Sequence, residues 1–381
     1  MSKVALVYCE NYELDKVRDA VRNGLDLLGG AAQFVLPGEK ILIKPNLLVG
    51  DSPDKCISPH PMVFEAVLEE FIACGVQLSF GDSPGFGSCQ AAARNAELLP
   101  VADALAVPVA DFQNGETVSF HEGKFIKQFT LAKGVLEADG VISLCKMKAH
   151  ALTRITGAIK NQFGCIPGML KAEFHSKLPS AAVFSKMLVD LNLFIKPRLY
   201  IMDGIIAMEG NGPRNGDPHP MHVLLFSTDP VALDTTVCAM INLDDDLVDP
   251  IVYGNEFGLG SSKNIEYVGA AVERFVAPDF VVNRSRGSTT TDLGFLTSSF
   301  VRTYVTPRPV INVEQCTKCG RCVKVCPAEP KALSWTNGKE KPPVYDYSNC
   351  IRCYCCQELC PHEAITVQVP LLGRLIHRQA A

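Results

Sequence analysis

Over the first 280 or so residues, short apolar, β-branched runs alternate with amphipathic stretches. The period-2 and all-apolar runs predict strands at Val4–Tyr8, Lys40–Ile43, Gln77–Phe80, Gly140–Leu144, Arg198–Met202 and His222–Phe226. Between the first two, apolar residues at 14, 17, 21, 25 and 28 recur at helical spacing and predict a helix over Leu14–Leu28. A second helix is predicted over Pro61–Cys74, with proline at its first position. Strands separated by helices argue for an α/β domain with a largely parallel sheet, here placed at residues 1–285. Ligands of such sheets gather beyond the C-terminal strand ends, where this sequence concentrates its polar residues.

Residues 286–309 break the pattern. They hold the polar run Ser288–Asp292 and end in Pro307 and Pro309, which reads as a linker or wrapping segment. Residues 310–370 form a small cysteine-rich domain, and 371–381 a short apolar and basic tail.

Of sixteen cysteines, nine fall between Cys316 and Cys360. Cys316-x2-Cys319-x2-Cys322-x3-Cys326-Pro327 is followed by Cys350-x2-Cys353-x2-Cys356-x3-Cys360-Pro361. Three thiolates two residues apart wrap one corner of a 4Fe–4S cubane, and the fourth cysteine of each run ligates the other cluster. The expectation is two clusters: Cys316, Cys319, Cys322 and Cys360 on the first, and Cys350, Cys353, Cys356 and Cys326 on the second. A zinc site needs only four ligands and would leave half of the cysteines without a role. The runs resemble the bacterial two-cluster ferredoxin family, which implies a small α+β ferredoxin-like domain that carries electrons. Cys355 fits no ligand position and reads as a bystander thiol. The segment Ser334–Tyr347, with the one tryptophan, reads as a lengthened hairpin or as a partner contact.

Composition adds exclusions. The chain is 47% hydrophobic and 20% charged with a net charge of −5, so neither nucleic acid nor an anionic membrane is expected as partner. No apolar run approaches the ~20 residues of a membrane span. The remaining seven cysteines are scattered, and the first residues run directly into a strand without an apolar leader. Together these give the expectation of a cytoplasmic location. A Walker lysine and GxGxxG are both missing, which disfavours a kinase and a simple dinucleotide site.

Three polar groups in the larger domain suggest a pocket. Lys44 and Asn46 follow the second strand, and Asp82 and Ser83 sit in the turn Gly81–Gly85 after the third. The densest segment runs from Lys146 to His175 and holds Lys148, His150, Lys160, Asn161 and Lys171. Histidine is a common metal ligand, and a desolvated lysine serves as base or nucleophile. Taken singly, each of these residues reads first as a solvated lysine or a satisfied core histidine, and only the group points to a pocket. Asp203 follows a strand, and Met208–Gly216, with Glu209, reads as a compact loop. Asp229 reads as a helix N-cap before Pro230.

These motifs resemble the domain-of-unknown-function family 362: Gly38–Asn46, Gly81–Gly85, Lys148-Ala-His150, Gly157–Asn161 with Pro167-Gly168, and Asp203-Gly with Glu209–Pro213. That family is commonly fused to ferredoxin domains. The order His150, Lys160, Pro167-Gly168, His175 also resembles the core of the nickel-pincer lactate racemases. That resemblance implies a two-lobed α/β architecture with a cleft, Lys160 as cofactor tether, His175 as metal ligand and His150 as acid–base.

The combined expectation is an iron–sulfur electron-transfer protein. Its ferredoxin domain serves a cofactor or small-molecule substrate pocket and a redox partner protein, which makes the chain an oxidoreductase component. Two alternatives stay open: a non-catalytic carrier whose larger domain docks on a partner, and an iron–sulfur assembly factor.

Overall fold

The computed structural model describes residues 1–168, 170–285, 303–336 and 338–375. The main sheet has eight strands among the described residues, of which seven lie along its path: β1 (Lys3–Tyr8), β2 (Lys40–Pro45), β3 (Gln77–Phe80), β4 (Gly140–His150), β5 (Leu199–Glu209), β6 (Asp217–Ser227) and β7 (Glu266–Gly269); the eighth, Arg154–Ile155, pairs with the end of β4. The order along the path is β7–β1–β6–β5–β4–β2–β3. β2, β3, β4 and β5 run parallel, as do β1 and β7, whereas β6 is antiparallel to both neighbours. The largely parallel expectation therefore stands, with one reversed strand inserted. Three strands run well past their apolar runs, and β6 begins five residues early, at Asp217. β4 and β5, each 11 residues long, continue past those runs into polar sequence, where Lys146, Lys148 and Asp203 find buried partners.

Helices cover both faces. α1 (Leu14–Asp26) buries Val17, Ala20, Val21, Gly24 and Leu25, the stripe set by its apolar spacing. Gly24 is required there, since a Cβ would lie 2.1 Å from the Phe226 ring. α2 (Pro61–Ile72) packs beside it, clamped by Arg18 on Glu69 at 2.7 Å. α3 (Gly157–Asn161), α4 (Leu170–Lys177), α5 (Ala181–Ile195) and α6 (Pro230–Met240) follow. Asp229 caps α6 by accepting from Val231 N and Ala232 N, in agreement with the N-cap reading.

The cysteine-rich region begins with β8 (Arg308–Ile311), which pairs antiparallel with β9 (Ile365–Gln368). Between them lie two short helices related by the sequence repeat, α7 (Arg321–Val325) and α8 (Cys355–Glu358). Leu333–Ser334 pairs with Val344–Tyr345, so the segment between the runs is a lengthened hairpin. The linker 286–309 and the tail 371–381 fall largely outside the described residues. No helix among the described residues is long and apolar enough to cross a membrane.

Candidate functional site

Two cavities in the cysteine-rich region have complementary linings. One, about 360 Å³, is walled by Cys316, Cys319, Cys322 and Cys360. The other, about 310 Å³, is walled by Cys326, Cys350, Cys353 and Cys356. Each takes three cysteines from one run and the fourth from the other, the crossed sets that cubane ligation requires. All sixteen cysteines are unpaired. Among the described residues no three His, Cys, Asp or Glu side chains converge on a single ion. A cubane needs ligands spread around a volume, and four thiols around each of these cavities are donors of that kind. Tyr345 donates its hydroxyl to Cys356 Sγ at 3.3 Å, a contact of the kind that tunes cluster potential.

A loop of the larger domain holds this region in place. Gln357 Nε2 donates to the backbone and side-chain oxygens of Asn211 at 2.8 and 2.9 Å, and Asn215 Nδ2 donates to the carbonyls of Gln357 and Cys360. Arg214 grips Asp51 in a fork at 2.7 and 2.9 Å and also donates to the Leu359 carbonyl. The turn 210–216 between β5 and β6 is thus a clamp on the second cysteine run. Met208 and Glu209 belong to β5 itself, so the irregular part is shorter than the sequence pattern suggests.

The clamp closes a cleft of about 810 Å³, counting its open mouth. It lies beyond the C-terminal ends of β2 and β3, the position expected for an α/β ligand site. From the larger domain come Asn46, Asp82, Ser83, Lys160, Asn161 and His175, and from the cysteine-rich region Val325, Cys355, Glu358 and Leu359.

The floor is a closed polar network. Lys44 Nζ donates to Asp82 Oδ1 at 2.8 Å and to Asn161 Oδ1 at 3.0 Å, with Lys44 wholly buried. Asp82 Oδ2 accepts from Leu47 N, and Asn161 Nδ2 donates to Ser143 Oγ. Gly164 permits this approach, since a Cβ there would meet Asp82 Oδ1 at 1.7 Å. Lys148 Nζ donates to Asn46 Oδ1 and to the Ile57 carbonyl, and burial pulls its pKa well down. Lys171 Nζ donates to Ser83 and to the Ile166 carbonyl, and burial brings it to about 8.

α3 carries Lys160 and Asn161. Its first turn is fixed by Asp234, which accepts from Ala158 N and Ile159 N; burial raises this carboxyl to about 7. Lys160 lines the cleft and is depressed by burial. His175 on α4 lines it too, stacked on Phe184 at 4.6 Å and brought to about 4 by burial.

His150 lies behind the wall. Its Nδ1 accepts from Leu152 N and Thr153 N, which places the ring proton on Nε2. Nε2 faces Glu358 Oε1 at 3.2 Å without the alignment of a hydrogen bond. Burial and the nearby Lys160 bring His150 to about 4. Burial opposes ionisation of Glu358, yet the His150, Lys160 and His175 side holds it ionised, at about 2.

Of the residues singled out from sequence, Asn46, Asp82, Ser83, Asn161, Lys160 and His175 line the cleft. Lys44 supports it from beneath and His150 from behind. Asp203 and Glu209 are elsewhere. Asp203 accepts from Lys146 Nζ at 2.7 Å, Tyr12 Oη and His60 N, a separate buried network. Glu209 pairs with His219 at 3.0 Å.

Sequence reasoning missed Glu358 and Leu359 and treated Cys355 as incidental. The repeat carried a signal for them. Between its last two cysteines the first run has Val323-Lys-Val325 and the second Gln357-Glu-Leu359, an asymmetry in an otherwise matched pair.

Residues 41–239, just over half of the chain, match the family described as domain of unknown function (DUF362), and residues 308–361 match the 4Fe-4S dicluster domain. Thylakoid-associated protein sll1697 of Synechocystis sp. is 36% identical over 260 residues, covering 68% of this chain and 80% of that protein. Two solved structures are similar in part. Lactate racemase apoprotein from Thermoanaerobacterium thermosaccharolyticum aligns with a TM-score of 0.42 at 10% identity, over 63% of this chain and 56% of that one. A structural-genomics protein from Thermotoga maritima aligns with a TM-score of 0.38 at 11% identity, over 68% and 62%. The chain thus spans less than two thirds of either solved relative. With more than half of its residues matched by that family, the chain belongs to the DUF362 family, joined here to a 4Fe-4S dicluster domain.

Proposed function

We propose that this protein is an iron–sulfur electron-transfer protein with two 4Fe–4S clusters, one of which exchanges electrons with a molecule held in the cleft. The organisation is a DUF362 domain over 1–285, a connecting segment over 286–309 and a ferredoxin domain over 310–370. The first cluster takes Cys316, Cys319, Cys322 and Cys360, and the second Cys326, Cys350, Cys353 and Cys356. The observation that carries the reading is the shared wall. Cys355 and Glu358, which line the cleft, flank Cys356 on α8, so the ligand loop of the second cluster is itself part of the pocket. Fusing an electron carrier to a pocket replaces a diffusional encounter with a fixed one. The acceptor or donor is a small molecule or cofactor, with a separate protein supplying or draining the clusters. The thylakoid association named for the relative is compatible with a redox setting.

Metal analysis and native mass spectrometry of anaerobically purified full-length protein test this reading. About eight irons and eight sulfides are expected, the content of two cubanes. Cys356→Ser removes about half of the iron while Cys355→Ser keeps all of it. Four irons in the parent, or iron loss in Cys355→Ser, would sink the assignment. An organic mass that departs on His175→Ala supports the cleft as the working site.

A further inference from the structure

Almost every cation around the cleft already has its partners. Lys44 is tied to Asp82 and Asn161, Lys148 to Asn46 and Ile57, and Lys171 to Ser83 and Ile166. Lys160 differs. Among the described residues its Nζ has no hydrogen bond or ion pair, only a 6.0 Å approach to the Phe163 ring. His175 is the second such group. It is 5% exposed, faces the same cleft and has ring contacts but no hydrogen-bond partner among the described residues. Lys160 is half-buried and His175 buried, and two polar groups that open into one cavity without protein partners point to a ligand that completes them.

Charge narrows the class of ligand. Four lysines, at positions 44, 148, 160 and 171, face two carboxylates, Asp82 and Glu358. Asp82 is spent on Lys44, and Glu358 faces His150. The lysines outnumber the carboxylates, and Lys160, which Glu358 meets only through space, keeps its N–H donors open to the cleft. The remaining walls are apolar, with Leu48, Val325 and Leu359 prominent.

We infer that the cleft takes an organic molecule with an apolar body and one anionic group, a carboxylate or a phosphate, held by Lys160 and His175 while the body packs on Leu48, Val325 and Leu359. Lys160 acts as a non-covalent anchor, unlike the tether that the racemase resemblance implies. An opposite charge beside a desolvated ammonium restores the solvation it lost, which fits the depressed Lys160. The inference rests on the cleft being the working site, and deepens that reading by naming what enters it.

The test uses two fluorescent probes with the same aromatic body on cluster-loaded, full-length protein. One is anilinonaphthalene sulfonate, which is anionic, and the other is N-phenylnaphthylamine, which is neutral. One-to-one binding of the anionic probe is expected, about tenfold tighter than that of the neutral one, equivalent to about 1.4 kcal/mol. Lys160→Ala removes that difference and leaves the neutral probe unchanged, while Lys160→Arg restores most of it. Unchanged iron content in each variant shows that folding is retained. Displacement by hexanoate or by hexyl phosphate then separates a carboxylate site from a phosphate site. Equal binding of both probes, anionic binding that survives Lys160→Ala, or a covalent adduct on Lys160 in the denatured mass would overturn the inference. Electron paramagnetic resonance of the reduced clusters separates the two readings. Lys160-dependent binding with an unchanged cluster spectrum leaves the anchor standing and removes the electron-transfer role of the cleft. A cluster response that ignores Lys160 removes the anchor alone.

Discussion

Lys146 and Lys160 lie 14 residues apart in one polar segment, and their surroundings are opposite. Lys146 is 1% exposed and fully engaged: Asp203 sits at 2.7 Å, Tyr12 Oη at 2.9 Å, and Asp203 is itself bound by the His60 amide. Lys160 faces a cavity with no such partner among the described residues. The contrast separates two uses of one side chain. A buried charge paired with a carboxylate and a hydroxyl joins β4 to β5 and belongs to the fold. A desolvated charge left open at a cavity costs stability, and under the proposed anchoring a bound anion offsets that cost.

The largest expected effect tests the engaged lysine. Lys146→Ala leaves Asp203 as an uncompensated buried carboxylate, and breaking such a pair costs about 3–5 kcal/mol. Chemical denaturation of the two variants side by side should show this loss for Lys146→Ala and little or no loss for Lys160→Ala. Equal losses would erase the distinction drawn between them.

Next comes the clamp. Arg214→Ala removes the fork to Asp51 and the contact to the Leu359 carbonyl, charged hydrogen bonds worth about 1.5–3 kcal/mol. Limited proteolysis between the two domains should accelerate about tenfold or more, a factor that corresponds to ~1.4 kcal/mol. Iron content should stay constant. Unaltered cleavage would mean that the turn 210–216 does not hold the ferredoxin domain against the cleft.

Lys171 gives the smallest effect and falls between the two lysines, since its partners are neutral oxygens. Its surroundings also include Asp82, Lys44, Cys165 and Lys160. Burial lowers its folded pKa to about 8, below the 10.5 of an ordinary lysine. Between these values the unfolded chain holds a proton that the native one has released, so stability rises with pH across that window. Below pH 8 the penalty is constant. Lys171→Met should flatten the rise, read as the thermal midpoint at pH 8, 9 and 10. A slope shared by both proteins would show that Lys171 keeps its proton.

Much of this was legible along the chain. Gln77–Phe80 was bounded correctly, and α1 followed its apolar stripe. Asp229 and Pro230 announced the start of α6, because capping and proline geometry are local. The cysteine runs were legible for the same reason: ligand spacing around a cubane is fixed over a few residues. The extents of β4 and β5 were not, since polar strand ends depend on partners distant in sequence, such as Asp203 for Lys146. Asp203 and Glu209 shared the strand-end pattern of true cleft residues. Their engagement with Lys146 and His219 draws them away, and no local pattern encodes it.

The sequence by itself determined an α/β domain followed by a dicluster domain, and part of the set of residues that line the cleft. Periodicity, capping and metal-ligand spacing act between near neighbours, and so they survive in one dimension. Only the tertiary structure decided that the ferredoxin domain completes that cleft. Glu358 and Cys355 reach Lys160 and His175 across nearly two hundred residues, held there by hydrogen bonds from the turn 210–216. Contacts between distant segments depend on how whole surfaces pack, and that information is spread over the chain rather than written at any one position.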